Sequence, residues 1–263
     1  MTLNSRADEA RRPDRFIDDP MAIQLVDTID FDFAKFGRTG QATALRGLAF
    51  DTHTRVYLQQ HPSATVVALA EGLETSFWRL SASIPAAQFR WLTIDLPPII
   101  DLRSRLLPSS PRITMLAQSA LDYSWMDQID PNAGVFITAE GLLMHLQPDQ
   151  ALNLIAECAR RFPGGQLLFD LPPAWASRLS RRRGQRISRH YRAPSLQFGA
   201  LPSQLAALLT PMAGVSSIHN LRFPLGRSRT INAVLALNYR LGGRLGNSLT
   251  LVEFERPNLA LGE

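Results

Sequence analysis

Short apolar runs that alternate with segments of helical periodicity constrain the fold of this chain more than any other feature. Seven such runs occur, at residues 65–69, 89–94, 112–116, 134–139, 166–170, 217–223 and 248–254. This alternation is typical of a mostly parallel sheet with helices on both faces. A glycine-rich segment links the last two runs, which predicts that they run antiparallel. We therefore predict an α/β fold of the Rossmann-like type with a seven-stranded, mostly parallel sheet.

The segments between these runs predict helices that each carry one apolar face. Residues 42–60 place apolar side chains along a single stripe. Residues 148–162 begin with a proline suited to a first helical turn and end before two glycines. Cys158 falls on the apolar stripe of this second helix, so we predict that it is a core residue. The whole chain, 1–263, is expected to form one domain, with residues 1–62 as an N-terminal helical cap.

Residues 174–199 show no clean helical or strand period and predict an insertion or lid, which we call the flap. The flap carries the densest positive charge of the chain, at Arg178, Arg181, Arg182, Arg183, Arg186, Arg189 and Arg192. One interpretation is a solvated surface segment. The other is a mobile element in which Arg182, Arg183, Arg189 or Arg192 contacts an acidic group of a substrate.

Charge and cysteine content narrow the possible functions. The formal net charge is +5, but outside the flap the basic residues are scattered, whereas nucleic-acid binders concentrate them on one face. We expect no nucleic-acid partner. The chain lacks the run of roughly 18 apolar residues that a membrane helix needs and an apolar core near its start, so we expect neither a membrane span nor a secretory signal. A single cysteine fits a reducing compartment, and we predict a cytoplasmic location. The five histidines lack metal-ligand spacing, so no metal is expected.

Glycine or acidic residues follow the first four predicted strands: Gly72, Asp95, Asp122 and Glu140. Open α/β sheets bind ligands beyond the carboxyl ends of their strands, where an acid can accept ribose hydroxyls and a glycine admits close approach. Each acid can instead cap a helix, and for Asp122 both interpretations stay open. Residues 70–74 lack the G-x-G-x-x-G motif of dinucleotide binding, and there is no phosphate-loop lysine. This reduced glycine motif favours S-adenosylmethionine as the ligand.

Six sequence blocks occur in an order that is specific to one family. They are residues 15–20, 67–80, 95–103, 119–125, 140–144 and 161–165. Together they resemble the leucine carboxyl methyltransferase family, and more closely its bacterial branch of polyketide O-methyltransferases. The resemblance implies a class I methyltransferase fold and S-adenosylmethionine as cofactor. It fades beyond about residue 171, in the region where substrate selection normally lies.

The same resemblance assigns contacts with the cofactor. It implies that Arg46 binds the methionine carboxylate, that Gly72 lets the cofactor pass close to the backbone, and that Asp95 holds the ribose. Residues 120–121 would flank the adenine, and Glu140 would lie near the methionine moiety. The complete expected set is Arg46, Glu71, Gly72, Asp95, Leu96, Ala120, Leu121, Asp122 and Glu140.

Four departures from the family pattern concern the same site. Residues 70–72 read Ala-Glu-Gly where Gly-Ala-Gly is commoner, so the first turn is less permissive. Glu74 replaces an aspartate, Ser76 replaces an arginine and His145 replaces a tyrosine. The contacts with the cofactor at these positions stay open.

The resemblance implies O-methylation of a small-molecule or natural-product acceptor. A carboxylic acid, with a pKa near ~4, is ionised without help, whereas a hydroxyl group needs a general base. His145, His190 and Tyr191 are candidate bases, but no pair has a diagnostic spacing. The lack of an evident base and the arginine-rich flap favour a carboxylic acid, and a hydroxyl group remains open.

Two other functions remain as alternatives. One is a methyltransferase-fold protein that catalyses a rearrangement or cyclisation without methyl transfer. The other is a basic RNA-binding module, which would explain the arginines but not the ordered acids at the strand ends. Both a monomer and a homodimer are compatible with the sequence.

Overall fold

The computed structural model describes residues 1–37, 40–186, 188–189 and 191–256. Within these residues the strands are β1 Thr65–Leu69, β2 Arg90–Asp95, β3 Ile113–Ala117, β4 Val135–Ala139, β5 Gln166–Leu171, β6 Gln185–Arg186, β7 Arg192–Ala193, β8 Val215–Leu221 and β9 Ser248–Phe254. The α-helices are α1 Thr2–Ala10, α2 Pro20–Thr28, α3 Gln41–Gln60, α4 Ser76–Ser83, α5 Pro97–Leu106, α6 Pro148–Arg161, α7 Ala174–Arg183, α8 Pro202–Leu209 and α9 Arg229–Arg240.

Seven strands form one sheet in the order β3-β2-β1-β4-β5-β9-β8. The first five strands of this order pair in parallel, and β9 pairs antiparallel with both β5 and β8. The predicted sheet and its antiparallel last pair are therefore confirmed. From β1 the chain adds strands first on one side, as β2 and β3, and then on the other, as β4 and β5. The switch point between β1 and β4 is where open α/β sheets bind ligands. Because these strands are parallel, the carboxyl ends of β1, β2, β4 and β5 meet at one edge of the sheet.

Helix α6 shows how the sequence forms the layers that cover the sheet. Pro148 occupies the first turn, and the side chain of Gln150 accepts a hydrogen bond from the backbone N–H of Gln147 there. Its apolar face, including Leu154 and Cys158, is buried in a cluster that extends under the sheet. Cys158 is fully buried, which confirms its prediction as a core residue. A second cluster, which includes residues of α3 and α4, covers the opposite face.

Two segments differ from their predictions. The flap is not irregular, because it contains helix α7 followed by the hairpin of β6 and β7. Strands β8 and β9 are not joined by a glycine-rich link alone, because helix α9 lies between them. In the part of the chain that the structure describes, no helix combines the length and the apolar character that crossing a bilayer requires.

Candidate active site

The turn that follows β1 is shaped by two residues in the left-handed region. Ala70 has φ of 51° and Gly72 has φ of 59°. For alanine this conformation costs roughly 1–2 kcal/mol, and such strain is concentrated at functional sites. A Cβ atom added to Gly72 would meet nothing within 4 Å. The turn therefore presents open backbone at the edge of the sheet, as a ligand that packs on it requires.

Asp95, the last residue of β2, fixes this turn. Its Oδ2 accepts a hydrogen bond from the backbone N–H of Gly72 at 2.7 Å, and its Oδ1 accepts one from the N–H of Leu96 at 2.8 Å. Each carboxylate oxygen has a second lone pair that can accept a further hydrogen bond. Asp95 is thus held in place by the backbone and can still receive the hydroxyl groups of a ligand.

The side chain of Glu71 is buried and engaged by groups of the protein itself. Its Oε2 accepts hydrogen bonds from Thr93 Oγ1 at 2.7 Å and pairs with Arg103 Nη2 at 3.0 Å. Burial raises the pKa of the Glu71 carboxyl, and Arg103 opposes the shift. Arg103 also donates from Nη1 to the carbonyl oxygens of Gly72 and Glu74. These contacts fix the shape of the turn, and a contact of Glu71 with the cofactor remains a prediction.

The two departures at Glu74 and Ser76 are accommodated by arginines from elsewhere in the chain. Glu74 pairs with Arg6 of α1 at 2.5 Å and with Arg79 of α4 at 2.8 Å. Both arginines also pair with Asp19, which caps α2 and is fully buried. Arg79 donates to the hydroxyl oxygen of Ser76 as well. Guanidinium groups are therefore present at this turn although position 76 is a serine.

A second cluster of charges lies at the ends of β4 and β5. Arg46 donates from Nε to Glu140 Oε1 at 2.9 Å and from Nη1 to Asp170 Oδ2 at 3.3 Å. Its Nη2 has no hydrogen-bond partner among the residues that the structure describes. Burial alone would lower the pKa of the Arg46 guanidinium, but Asp170 and Glu140 raise it above its usual value. Arg46 remains a cation with one face free for an anionic ligand.

Asp170 holds this cluster together, and sequence reasoning assigned it no role. It is fully buried, and it accepts hydrogen bonds from Arg46 Nη1, from the backbone N–H of Gly141 at 2.7 Å and from Asn247 Nδ2 at 3.1 Å. Its signal in the sequence is a single carboxylate at the end of an otherwise apolar strand. Buried carboxylates need partners, so such a residue indicates a paired cation nearby.

Glu140 titrates close to neutral pH. Burial raises the pKa of its carboxyl to about 7, with Glu74 and Asp170 adding to the shift and Arg46 opposing it. Among the described residues, Arg46 engages Oε1 of Glu140 and no hydrogen bond is made to Oε2. Near neutral pH, Glu140 can therefore exist as a carboxylate that binds a cation or as a neutral acid.

Several of these groups line a crevice with a volume of about 460 Å³, whereas Asp95 and Asp170 lie outside its lining. Its lining combines the turn after β1, the Arg46 cluster and part of the flap: Arg46, Glu71, Gly72, Glu74, Glu140, Met144, His145, Gln185, Tyr191 and Leu196 are among the residues that line it. His145 and Tyr191, both predicted as catalytic candidates, therefore share one cavity with Arg46 and Glu140. His190 lies outside the described residues.

The other predicted cofactor residues lie beside the crevice, at the ends of β2 and β3. Leu96 exposes 55% of its surface next to Asp95, whereas Ala120 is buried. Asp122 is exposed and caps the short helix Tyr123–Gln128 through a hydrogen bond from the N–H of Ser124. Leu121 packs at the margin of the core. Capping explains Asp122 without a ligand, and a contact with adenine remains a prediction for this group.

The flap contributes Gln185, Tyr191, Ala193, Pro194 and Leu196 to the wall of the crevice. Tyr191 packs edge-on against Phe36, with ring centroids 4.9 Å apart. Arg182, Arg183, Arg189 and Arg192 are exposed and lie outside the lining of the crevice. Their contact with a substrate stays a prediction. In the described part of the chain, no group of three or more His, Cys, Asp or Glu side chains is arranged to hold a metal ion.

Comparison with known proteins agrees with this geometry. The sequence model of the leucine carboxyl methyltransferase family matches residues 1–159, more than half of the chain. Over 249 residues the chain is 29% identical to the tetracenomycin polyketide synthesis O-methyltransferase TcmP of Streptomyces glaucescens, covering 84% of this chain and 91% of that protein. It is 23% identical over 193 residues to the S-adenosyl-L-methionine-dependent methyltransferase dpfgK of Gibberella zeae, covering 65% of this chain and 64% of the relative, just under two thirds.

A solved structure supports the fold. A protein from Thermobifida fusca that is described as a methyltransferase superimposes with a TM-score of 0.61 at 13% identity, covering 97% of this chain and 94% of that one. At this identity the likeness shows the fold alone. The predicted class I methyltransferase fold is confirmed.

Proposed function

The chain belongs to the leucine carboxyl methyltransferase family, and on that premise we propose that it transfers a methyl group from S-adenosylmethionine to an oxygen atom of a small-molecule acceptor. The observation that carries the proposal is the crevice itself. It joins the open turn at Gly72, the free face of Arg46 and the free oxygen of Glu140 with two side chains that can accept a proton. The similarity to TcmP, itself described as an O-methyltransferase, supports oxygen as the acceptor atom.

The residues of the site fit S-adenosylmethionine. Arg46 offers Nη2 to a carboxylate, and Glu140 offers Oε2 to an ammonium group. Asp95 offers its remaining lone pairs to the two hydroxyls of a ribose, as the corresponding acid does in other open α/β sheets. Because Gly72 has no Cβ atom, the space next to its backbone is open to the cofactor. When bound, S-adenosylmethionine supplies a methyl group that is activated by a sulfonium charge.

The protein's own residues would orient the acceptor and exclude water. The turn after β1 and the Arg46 cluster fix one side of the crevice, and the flap residues Tyr191 and Leu196 cover the other. Holding the two reactants in one orientation accounts for a large part of the catalysis of a transfer reaction. A carboxylate acceptor would need no further help. For a hydroxyl acceptor, His145 is the base that we propose, because it is exposed in the lining of the crevice.

The affinity for S-adenosylhomocysteine, the demethylated cofactor, is expected to fall as the pH is lowered. Below about pH 7 Glu140 gains a proton and can no longer pair with the ammonium group of the ligand. The apparent affinity scales with the fraction of Glu140 that is ionised, so lowering the pH from about 7.5 to about 5.5 should weaken binding about 25-fold. Isothermal titration calorimetry across this range measures the effect.

The matched variant for this experiment is Glu140→Gln. It keeps the shape of the side chain but cannot titrate, so its weaker binding should be independent of pH in the same range. If the variant kept the pH dependence of the unmodified protein, a group other than Glu140 would be responsible.

A methylation screen tests the proposed reaction. The protein would be incubated with S-adenosylmethionine and a panel of aromatic and aliphatic carboxylic acids, phenols and amines, and products would be identified by mass spectrometry. We expect a methyl ester, which alkali cleaves, or a methyl ether, which alkali leaves intact. Asp95→Ala serves as the control with an impaired cofactor site. Transfer to nitrogen only, or conversion of a substrate without gain of a methyl group, would contradict the proposal.

A further inference from the structure

A second cavity, which we call the α9 cavity, adjoins the crevice on the side of β5 and β9. Its volume is about 310 Å³. Its apolar lining comes from α3, from the segment after β8, from α9 and from the loop before β9: Ala42, Leu45, Phe223, Val234, Leu235 and Leu245. This size lies at the lower end of the range of small-molecule sites, roughly 300–1,000 Å³.

The two amide side chains of the α9 cavity, Asn238 and Asn247, are already engaged within the protein. Asn238 accepts hydrogen bonds through Oδ1 from the N–H groups of Leu245 and Gly246, and it donates through Nδ2 to the carbonyl oxygen of Asn247. Asn247 Nδ2 in turn donates to Asp170. The one charged residue of the lining, Arg46, is paired with Glu140 and Asp170. Among the described residues Arg46 is the only charged one in the lining, and most of the remaining surface is apolar.

Arg46 and Asn247 line both the crevice and the α9 cavity. The two spaces therefore share a wall, and that wall consists of two side chains that Asp170 orients. A ligand that extends past these side chains would have its polar end in the crevice, beside Glu140 and His145, and its remainder in the apolar space.

We propose that the α9 cavity is a subsite for the methyl acceptor, and that it holds an apolar ring system while the reacting oxygen lies in the crevice. This inference rests on the proposed function. An apolar cavity of roughly 150 Å³ accommodates one benzene ring. The α9 cavity has about twice that volume, so it has room for a body of about two rings. The acceptor class is accordingly a polycyclic compound with a carboxylic acid or hydroxyl group at one end.

Binding of 2-naphthoate tests the subsite, with benzoate as the one-ring comparison. Both would be titrated by calorimetry into protein saturated with S-adenosylhomocysteine, so that the cofactor part of the crevice is filled. We expect 2-naphthoate to bind more tightly than benzoate. Val234→Trp and Leu245→Trp, each at a side chain about half exposed, should fill the cavity without disturbing the core and weaken 2-naphthoate about tenfold.

Leu237→Trp is the matched control. Leu237 lies on the same helix with a similar exposure, 48% against 51% for Val234, but does not line the α9 cavity. Its affinity for 2-naphthoate should equal that of the unmodified protein, and the affinity for S-adenosylhomocysteine should be the same in all variants.

Several results would overturn the subsite. One is equal binding of 2-naphthoate by the filled and unmodified proteins, and another is displacement of 2-naphthoate by S-adenosylhomocysteine. A dimer that Val234→Trp dissociates, without any binding of 2-naphthoate, would show that a second copy of the chain covers the cavity. If the unmodified protein failed to bind S-adenosylhomocysteine, the proposed function would fall with the subsite. If the protein bound S-adenosylhomocysteine but did not bind 2-naphthoate, only the subsite would be overturned.

Discussion

Replacing Asp170 with alanine is expected to lower the free energy of unfolding by about 3–5 kcal/mol, the usual cost of removing one partner from a buried ion pair. Asp170 is fully buried and accepts hydrogen bonds from Arg46, Gly141 and Asn247. Without it, Arg46 keeps Glu140 alone as a partner, and a buried N–H group loses its acceptor. A loss of this size is a large part of the roughly 5–15 kcal/mol that stabilises a typical domain.

Urea unfolding followed by circular dichroism measures this loss. Because Asp170→Ala can leave too little folded protein to study, Asp170→Asn provides a milder test, since the amide still accepts a hydrogen bond but carries no charge. It should give an intermediate loss of stability together with weaker binding of S-adenosylhomocysteine. Asp101→Ala, which removes an exposed pair with Arg105, is the control and should leave stability unchanged. Equal effects of the variants at positions 170 and 101 would refute the role of Asp170.

Replacing Asp95 with alanine is expected to weaken binding of S-adenosylhomocysteine about 100-fold. A hydrogen bond to a charged group contributes roughly 1.5–3 kcal/mol, and a loss of about 2.7 kcal/mol corresponds to a factor of 100. The variant loses the acceptor for the ribose hydroxyls and also the contact that holds the N–H of Gly72 at 2.7 Å. The turn after β1 would then no longer be fixed in its open shape.

Calorimetry with S-adenosylhomocysteine measures this change, and Asp130→Ala is the matched control. Asp130 caps the short helix Pro131–Ala133 by accepting from the N–H of Asn132, as Asp122 does for its own short helix, but it precedes β4 and so lies away from the carboxyl ends of the strands. Its loss should leave the affinity unchanged. An undiminished affinity in Asp95→Ala would remove Asp95 from the cofactor site while leaving the family assignment intact.

The sheet could be predicted because its central parallel strands β1, β2, β4 and β5 are buried almost throughout and therefore read as apolar runs. Each prediction for β1 to β5 lies within one residue of the observed bounds, as for β2, predicted at 89–94 and observed at Arg90–Asp95. Helix α7 was missed for a physical reason. Its buried side chains are Ser177 and Ser180, and its apolar Trp175 and Leu179 are exposed, so no apolar stripe marks it.

Helix α9 was missed for a similar reason. Asn238 is its one buried residue in the structure, while Val234 and Leu237 are exposed. The glycines that follow it favoured the prediction of a glycine-rich link instead of a helix. Because α9 lines the α9 cavity, the missed helix is also the part of the chain on which the choice of acceptor would depend.

The site itself was predictable where a motif or a strand end marks a residue. Asp95, Gly72 and Glu140 stand at strand ends, and the structure places Arg46 beside Glu140. Which groups hold these residues could not be predicted, because Asp170, Asn247 and Arg103 act across long separations in sequence. Arg103, for example, reaches the carbonyl oxygen of Gly72, 31 residues earlier in the chain.

Through the contacts of Arg6, the turn after β1 depends on the N-terminal helix α1. Arg6 donates to the carbonyl oxygen of Leu73, 67 residues away in sequence, and it pairs with Glu74 and Asp19 in the same buried network. Proteins open locally in cooperative units rather than residue by residue. We therefore expect helices α1 and α2 and this turn to unfold locally as one unit. Exchange of the Gly72 amide proton with deuterated solvent would report on whether the first helix of the chain is docked.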